Sequence, residues 1–213
     1  MVNLVALQMT SAPSVEENLD TVANEMASAK IEKNSLVVLP ECFAYFGGKD
    51  KGQLAVAETK GEGEIQRRLS ALAAQYQCYL VSGTFPVKTN SPEKFSAACM
   101  LFGPNGDVLA DYRKIHMFDV ILSKKEKYFE SKSFYPGNKI KTFNLPWGKI
   151  GLSICYDLRF PNHYRELSKA GSLFLSIPSA FTETTGKKHW HSLLRARAIE
   201  NFCYIFAPAQ GGT

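Results

Sequence analysis

The chain has 213 residues and a mass of 23.7 kDa, with 45 % apolar and 21 % charged residues. These are ordinary globular values, and they exclude disorder, collagen and low-complexity sequence. The formal charge of +5 is mild, and the densest basic clusters, Lys124-Lys125 with Lys127 and Lys187-Lys188, are short and interrupted. A solvated loop face is expected there, with no nucleic-acid partner.

No run reaches the ~18 apolar residues of a membrane helix. The start, MVNLVALQMT, lacks a basic n-region and a cleavage site, so no membrane partner is expected. Five cysteines stand at 42, 78, 99, 155 and 203 without a C-x-x-C pair, which fits a reduced, cytoplasmic compartment. The four histidines, 116, 163, 189 and 191, show no structural-zinc spacing, and no metal is expected. His189 and His191 could share a strand face.

In chain order, residues 2–9 alternate as a strand. Ser14 and Glu17 form a capping-box pattern ahead of a helix carrying Val15, Leu19, Val22, Met26 and Ile31. LVVLP (36–40) is a short buried strand stopped by Pro40, so a parallel β-α-β unit is expected. Residues 64–77 repeat the helical period, and CYLVSGTF (78–85) reads as a strand. Residues 96–114 predict a hairpin around Pro104-Asn105-Gly106-Asp107. Residues 116–138 look irregular and too long for an idle loop. They are expected to close over a ligand.

A second hairpin bends at Pro146-Trp147-Gly148, and its second strand runs to Cys155. Pro161 opens a helix over 160–170. LFLSIP (173–178) is a strand, 187–201 a helix, and CYIFAPA (203–209) the last strand. The pattern predicts one α/β domain spanning 1–213, with two mixed sheets covered by helices.

Three reactive side chains share one setting: Glu41 follows LVVLP, Lys114 follows VLADYR, and Cys155 follows IGLSI. Ligand crevices in α/β sheets lie at carboxyl strand ends. Taken alone each residue has a plainer reading: Cys155 as a buried core thiol, Glu41 as a turn carboxylate, Lys114 as half of a basic pair. The helix start after Cys155 would lower its thiol pKa. Jointly the three supply what an amide-hydrolysing thiol needs: a base for its proton, an acid for the leaving amine, and positive charge for the oxyanion. His116 offers a competing Cys–His dyad. Arg159, four residues past Cys155, could clamp a carboxylate or pair with Asp157. The other four cysteines read as structural thiols, although Cys42 adjoins Glu41.

The stretches LPECF (39–43), DYRKIHMFD (111–119) and SICYDLRFPNHYREL (153–167) resemble the nitrilase superfamily of carbon–nitrogen hydrolases. Supporting matches include FESKSFYPG (129–137), PSAFTETTGKKHW (178–190) and RARAIENFCYIFAPAQGG (195–212). The resemblance is nearest to the Nit branch. It implies an α-β-β-α sandwich that forms a homodimer, with Cys155 as nucleophile, Glu41 as general base and acid, and Lys114 as oxyanion stabiliser. Glu130 would orient the base or substrate. The Tyr156 N–H would complete the oxyanion hole, and Arg159, Phe181, Thr182 and Thr185 would line the substrate pocket.

No cofactor is implied. The expected reaction hydrolyses a small carboxylate-bearing amide, deaminated glutathione first, to a carboxylate and ammonia through a Cys155 thioester. The alternatives are an omega-amidase acting on 2-oxo acid amides and a non-catalytic interaction protein of the same fold. Family members usually continue beyond the position of Thr213, so a chain lacking its C-terminal strands is expected.

Overall fold

Alternation along a few short strands decides the architecture. The computed structural model describes residues 2–48, 51–124 and 126–212; Lys125 of the basic cluster lies outside them. The chain runs β1 (Leu4–Ala6), α1 (Val15–Ser28), β2 (Leu36–Val38), α2 (Gly52–Ala55), α3 (Glu64–Tyr76), β3 (Tyr79–Val81), β4 (Phe85–Lys88), β5 (Phe95–Phe102) and β6 (Val108–Arg113). It continues through β7 (Asp119–Ile121), β8 (Lys127–Phe129), β9 (Lys141–Leu145), β10 (Gly148–Leu152), α4 (Pro161–Lys169), β11 (Ser172–Ser176), α5 (Glu183–Asn201) and β12 (Tyr204–Phe206). Two 3-10 turns, Glu130–Lys132 and Cys155–Arg159, follow β8 and β10.

Among the described residues, β1-β2-β3-β5-β4 form one sheet with β6 paired to β5, and β12-β11-β10-β9 form a second. Both are mixed. β1, β2 and β3 run parallel, with Val5 opposite Val37 and Val37 opposite Leu80, while β5 pairs antiparallel with its neighbours. β10, β11 and β12 are parallel, and β9 returns antiparallel.

The period-2 pleat sends alternate side chains to opposite faces. Val37, Leu80 and Met100 pack outward against Leu19 and Met26 of α1 and Leu69 of α3. Leu36, Val38, Val81 and Leu101 face inward onto Ile150, Leu152 and Phe174 of the second sheet. Leu175, on the outer face of that sheet, meets Tyr164 and Leu167 of α4 and Leu193 of α5. The result is the α-β-β-α sandwich. Emptying one such fully buried site, as in Leu19→Ala, costs about 2–5 kcal/mol.

Ser14 caps α1 by accepting the Glu17 N–H at 3.4 Å, and Pro161 occupies the first turn of α4. Four expectations need correction. The segment 78–85 is not one strand: Gly83, at φ +63°, turns the chain between β3 and β4, and a Cβ there would lie 2.0 Å from the Pro40 carbonyl oxygen. Segment 116–138 contains the antiparallel pair β7–β8. β10 stops at Leu152, three residues before Cys155. α5 begins at Glu183, because Thr182 caps it from outside, and so Lys187, Lys188, His189 and His191 lie on a helix, not on a loop or strand.

The two ends of the chain meet across the sandwich: Met9 bridges Gln210, and the Gly211 N–H donates to the Met9 carbonyl at 2.9 Å. Among the described residues no helix is long and apolar enough to cross a membrane.

Candidate active site

Strand ends from both sheets deliver the charged groups to one cleft. Glu41 lies three residues past β2, Lys114 directly after β6, and Cys155 three residues past β10. Glu130 arrives from the other side, at the turn that follows the β7–β8 hairpin. The Lys114 Nζ, 1 % exposed, donates to Glu41 Oε1 and to Glu130 Oε1, each at 2.8 Å. The second oxygen of each carboxylate is held by backbone: the Ala180 N–H donates to Glu41 Oε2 at 2.8 Å, and the Phe118 N–H to Glu130 Oε2 at 2.7 Å. Gln210 donates from Nε2 to the Glu41 carbonyl at 2.8 Å.

Cys155 opens its 3-10 turn at φ +40°, a left-handed conformation uncommon for a residue with a side chain. Its N–H donates to the Pro178 carbonyl at 2.9 Å. The thiol shares the cleft with Glu41, whose negative charge acts on it.

Electrostatics follow from burial and from charge. Burial works against the Lys114 charge. Glu41, then Glu130 and Cys155, outweigh it and hold Lys114 well above the usual lysine value. Burial first, and the neighbouring Glu41 next, push the Cys155 thiol well above the usual cysteine range, with Lys114 pulling the other way. The expected lowering by a helix start is therefore not found: a five-residue turn has a small dipole, and burial opposes the thiolate. Burial also raises the Glu130 carboxyl, against the pull of Lys114 and with the push of Glu41.

All nine residues singled out from the sequence line one cleft: Glu41, Lys114, Glu130, Cys155, Tyr156, Arg159, Phe181, Thr182 and Thr185. Arg159 does not pair with Asp157. Its Nη1 lies 3.2 Å from His189 Nδ1, and its guanidinium sits over the rings of Phe181 and Tyr156 at 5.4 and 5.9 Å. Phe181 in turn packs on Trp190 at 4.8 Å between ring centroids. The hydroxyls of Thr182 and Thr185 lie 2.9 Å apart as part of the α5 cap, so they are already engaged with each other. The cleft opens into a wider vestibule bordered by Cys42, Phe46, Tyr128 and Glu183.

Sequence reasoning missed Phe118 and Ala180, which also line the cleft. Their contribution is largely backbone N–H placement, which no side-chain pattern reveals. It also missed Asp157. His116 Nδ1 lies 2.6 Å from Asp157 Oδ1, so this histidine is engaged behind the turn that carries Cys155 and does not form the Cys–His dyad. Among the described residues, His116, Asp157 and His163 form the one cluster with metal-ligand chemistry.

A cysteine, a lysine and two carboxylates meeting in one cleft at sheet ends are groups that can carry nucleophilic and acid–base chemistry. The carbon-nitrogen hydrolase family model matches residues 4–213. The chain is 41 % identical to a deaminated glutathione amidase of Synechocystis over 97 % of this chain and 76 % of that protein. It is 36 % identical to human omega-amidase NIT2 over 95 % of this chain and 71 % of that one. The fold superposes on Nit3 of Saccharomyces cerevisiae, a member of branch 10 of the nitrilase superfamily, with a TM-score of 0.85 and 30 % identity, over 100 % of this chain and 76 % of that one. It superposes on the C. elegans NitFhit protein with a TM-score of 0.88 and 35 % identity, over 100 % of this chain and 53 % of that one. The chain belongs to the carbon-nitrogen hydrolase family. Family and relatives together make it an amidase.

Proposed function

We propose that Cys155 is the nucleophile of this amidase, Glu41 its general base and acid, and Lys114 with the Tyr156 N–H its oxyanion site. Glu130 holds Lys114 in place. The observation that carries the reading is the convergence of Cys155, Glu41 and Lys114 on one cleft, with the Lys114 ammonium bonded to Glu41 at 2.8 Å. Cys155 gives its proton to Glu41 as its sulfur attacks the amide carbon. Lys114 stabilises the oxyanion. Glu41 passes the proton to the amide nitrogen, the carbon–nitrogen bond breaks, and a thioester remains. Water then loses a proton to Glu41 and attacks the thioester carbon. The carbon–sulfur bond breaks, the carboxylate leaves, and the proton returns to sulfur. Because the resting thiol is held neutral, transfer to Glu41 accompanies attack rather than preceding it.

The substrate is a small amide bearing a carboxylate, with deaminated glutathione first and 2-oxo acid amides second. Arg159 supports this, as a guanidinium in the cleft wall, and so does the amino end of α5, whose dipole favours an anion. The leaving group differs from the ammonia expected above. Deaminated glutathione is a substituted amide, so the amine of cysteinylglycine leaves. Ammonia leaves only from a primary amide such as 2-oxoglutaramate. Both release 2-oxoglutarate, which is the product to assay on the parent chain and on Cys155→Ala. Release by the parent alone supports the roles. Release by Cys155→Ala overturns them, and a folded parent inert on both amides favours the non-catalytic reading.

The reading takes residues 1–213 as one domain, supported by the family match over 4–213 and the Met9–Gln210 bridge between its ends. It includes a homodimer. Ile199, Phe202 and Tyr204, at 73, 91 and 65 % exposure, leave an apolar face at the end of α5 and on β12 for a second copy to cover. Light scattering of the purified chain tests this. A cytoplasmic setting is supported by the five cysteines, all free thiols, and is tested by locating a tagged chain in cells.

A further inference from the structure

Asp157 lies two residues past Cys155 and is fully buried. Its carboxylate accepts four hydrogen bonds. The Ile154 N–H, directly before the nucleophile, donates to Oδ2 at 2.9 Å. The Tyr112 hydroxyl donates to the same oxygen at 2.6 Å. The His116 backbone N–H donates to Oδ1 at 3.0 Å, and His116 Nδ1 lies 2.6 Å from that oxygen. Tyr112 and His116 stand two residues before and two after Lys114. The His116 ring also stacks on Phe160, just past the nucleophile turn, at 3.6 Å between centroids and 12° between planes.

One carboxylate thus ties the turn that carries Cys155 to the strand end that carries Lys114, from both sides of each residue. Cys155 itself sits in a left-handed conformation that its own side chain does not favour. Something must hold it there, and the Ile154–Asp157 bond closes that turn. The cluster holds three groups with metal-ligand chemistry, and His163 Nε2 is buried without a partner. The acceptor positions of Asp157 are nonetheless taken by protein donors, which makes the cluster a brace and not a cation site.

We infer that Asp157, with Tyr112 and His116, is the positioning device that sets the Cys155 sulfur against the Lys114 ammonium, a role that rests on the catalytic reading given above. Asp157 touches no substrate. It acts chiefly on kcat, because it fixes the reacting groups relative to each other, while Arg159 at the end of the same turn is also held by Phe181 and His189. Displacing a reacting group by about 1 Å costs roughly 100-fold in rate.

The test measures 2-oxoglutarate release from deaminated glutathione and from 2-oxoglutaramate by Asp157→Asn, Tyr112→Phe and Cys155→Ala, with thermal melts of each. An asparagine keeps the shape but puts a donor against the Ile154 or His116 N–H. Asp157→Asn is expected to lose roughly 100-fold in kcat. Tyr112→Phe removes one of the four bonds without changing charge, and should lose about 5- to 20-fold in kcat, a part of the roughly 10- to 150-fold that one hydrogen bond to a charged group is worth. KM should stay within about twofold in both, since ground-state binding is untouched. Tyr112→Phe decides the matter if Asp157→Asn does not fold. Folded variants with unchanged kcat, or with KM rising in place of a fall in kcat, overturn the positioning role while inert Cys155→Ala leaves the catalytic reading standing. Turnover by Cys155→Ala takes both down.

Discussion

Lys114 and Glu41 are 73 residues apart in sequence and 2.8 Å apart in space, both buried. The pair exists because β2 and β6 belong to one sheet and end at the same side of it. With Glu130 opposite, a single cation is shared between two carboxylates. Removing it leaves both acids without a counter-charge. Lys114→Gln is expected to abolish turnover by about 100-fold or more and to destabilise by about 3–5 kcal/mol at neutral pH. The penalty should shrink in acid, where Glu130, already held above the usual glutamate value, takes up a proton. Melts at pH 5 and pH 8 check the sign.

The Cys155 thiol sits above the usual cysteine value of 9.0, held there chiefly by burial and then by Glu41. Only the thiolate is alkylated readily. The rate of Cys155 modification by iodoacetamide should therefore keep rising as pH passes 9, with no plateau near neutrality. A plateau below pH 7 would mean a preformed thiolate, and proton transfer to Glu41 would no longer accompany attack.

Burial alone would raise the Asp157 carboxyl, but the hydrogen bond from His116, the nearby His163 and the Tyr112 hydroxyl together hold it below the usual 3.8. A lowered folded-state pKa gives stability that is present above the unfolded value and lost as pH falls through the folded one. The parent should therefore be more stable than Asp157→Asn at neutral pH, and the gap should narrow as pH falls below about 3.8. Melting curves of the two proteins from pH 7 down to pH 3 check this.

Gln210 joins the β12 end of the chain to Glu41. Its Oε1 accepts the Ser11 N–H at 2.9 Å, and its Nε2 donates to Ser11 Oγ and to the Glu41 carbonyl, each at 2.8 Å. Gln210→Ala takes these bonds away, with Ser11 Oγ keeping only its bond to the Phe43 carbonyl, at a cost of about 1–3 kcal/mol. Turnover should fall several-fold because the Glu41 backbone is released. Paired melts and kcat values measure both effects.

Gly83 permits the close approach of the turn after β3 to the segment that carries Glu41. An alanine there meets the Pro40 carbonyl oxygen at 2.0 Å and must adopt φ +63°. Gly83→Ala is expected to destabilise by about 2–4 kcal/mol and to reduce turnover, because Pro40 precedes Glu41. A chemical denaturation series gives the size.

Much of this was legible in the sequence because the signals were local. The period of α3, the Ser14 cap and the turn between β5 and β6 each follow from neighbouring residues. The three strand-end residues could be paired with a chemistry before any coordinates, since strand ends converge wherever a sheet is parallel. What could not be read depends on tertiary context. The break at Gly83 reflects a backbone approach from Pro40. The raised Cys155 thiol reflects burial that no five-residue motif records. The Asp157 brace joins residues 41 and 45 positions apart in sequence, His116 and Tyr112. The β7–β8 hairpin was hidden by its polar composition, as it packs on the rim of the cleft and buries little.

The most direct measurement is the intact mass of the chain, quenched in acid during turnover of deaminated glutathione, followed by peptide mapping. A 2-oxoglutaryl adduct on Cys155, appearing and disappearing with substrate and absent from Cys155→Ala, is the result expected of the thioester route. Turnover that proceeds in Cys155→Ala, or an adduct on a residue other than Cys155, would contradict it.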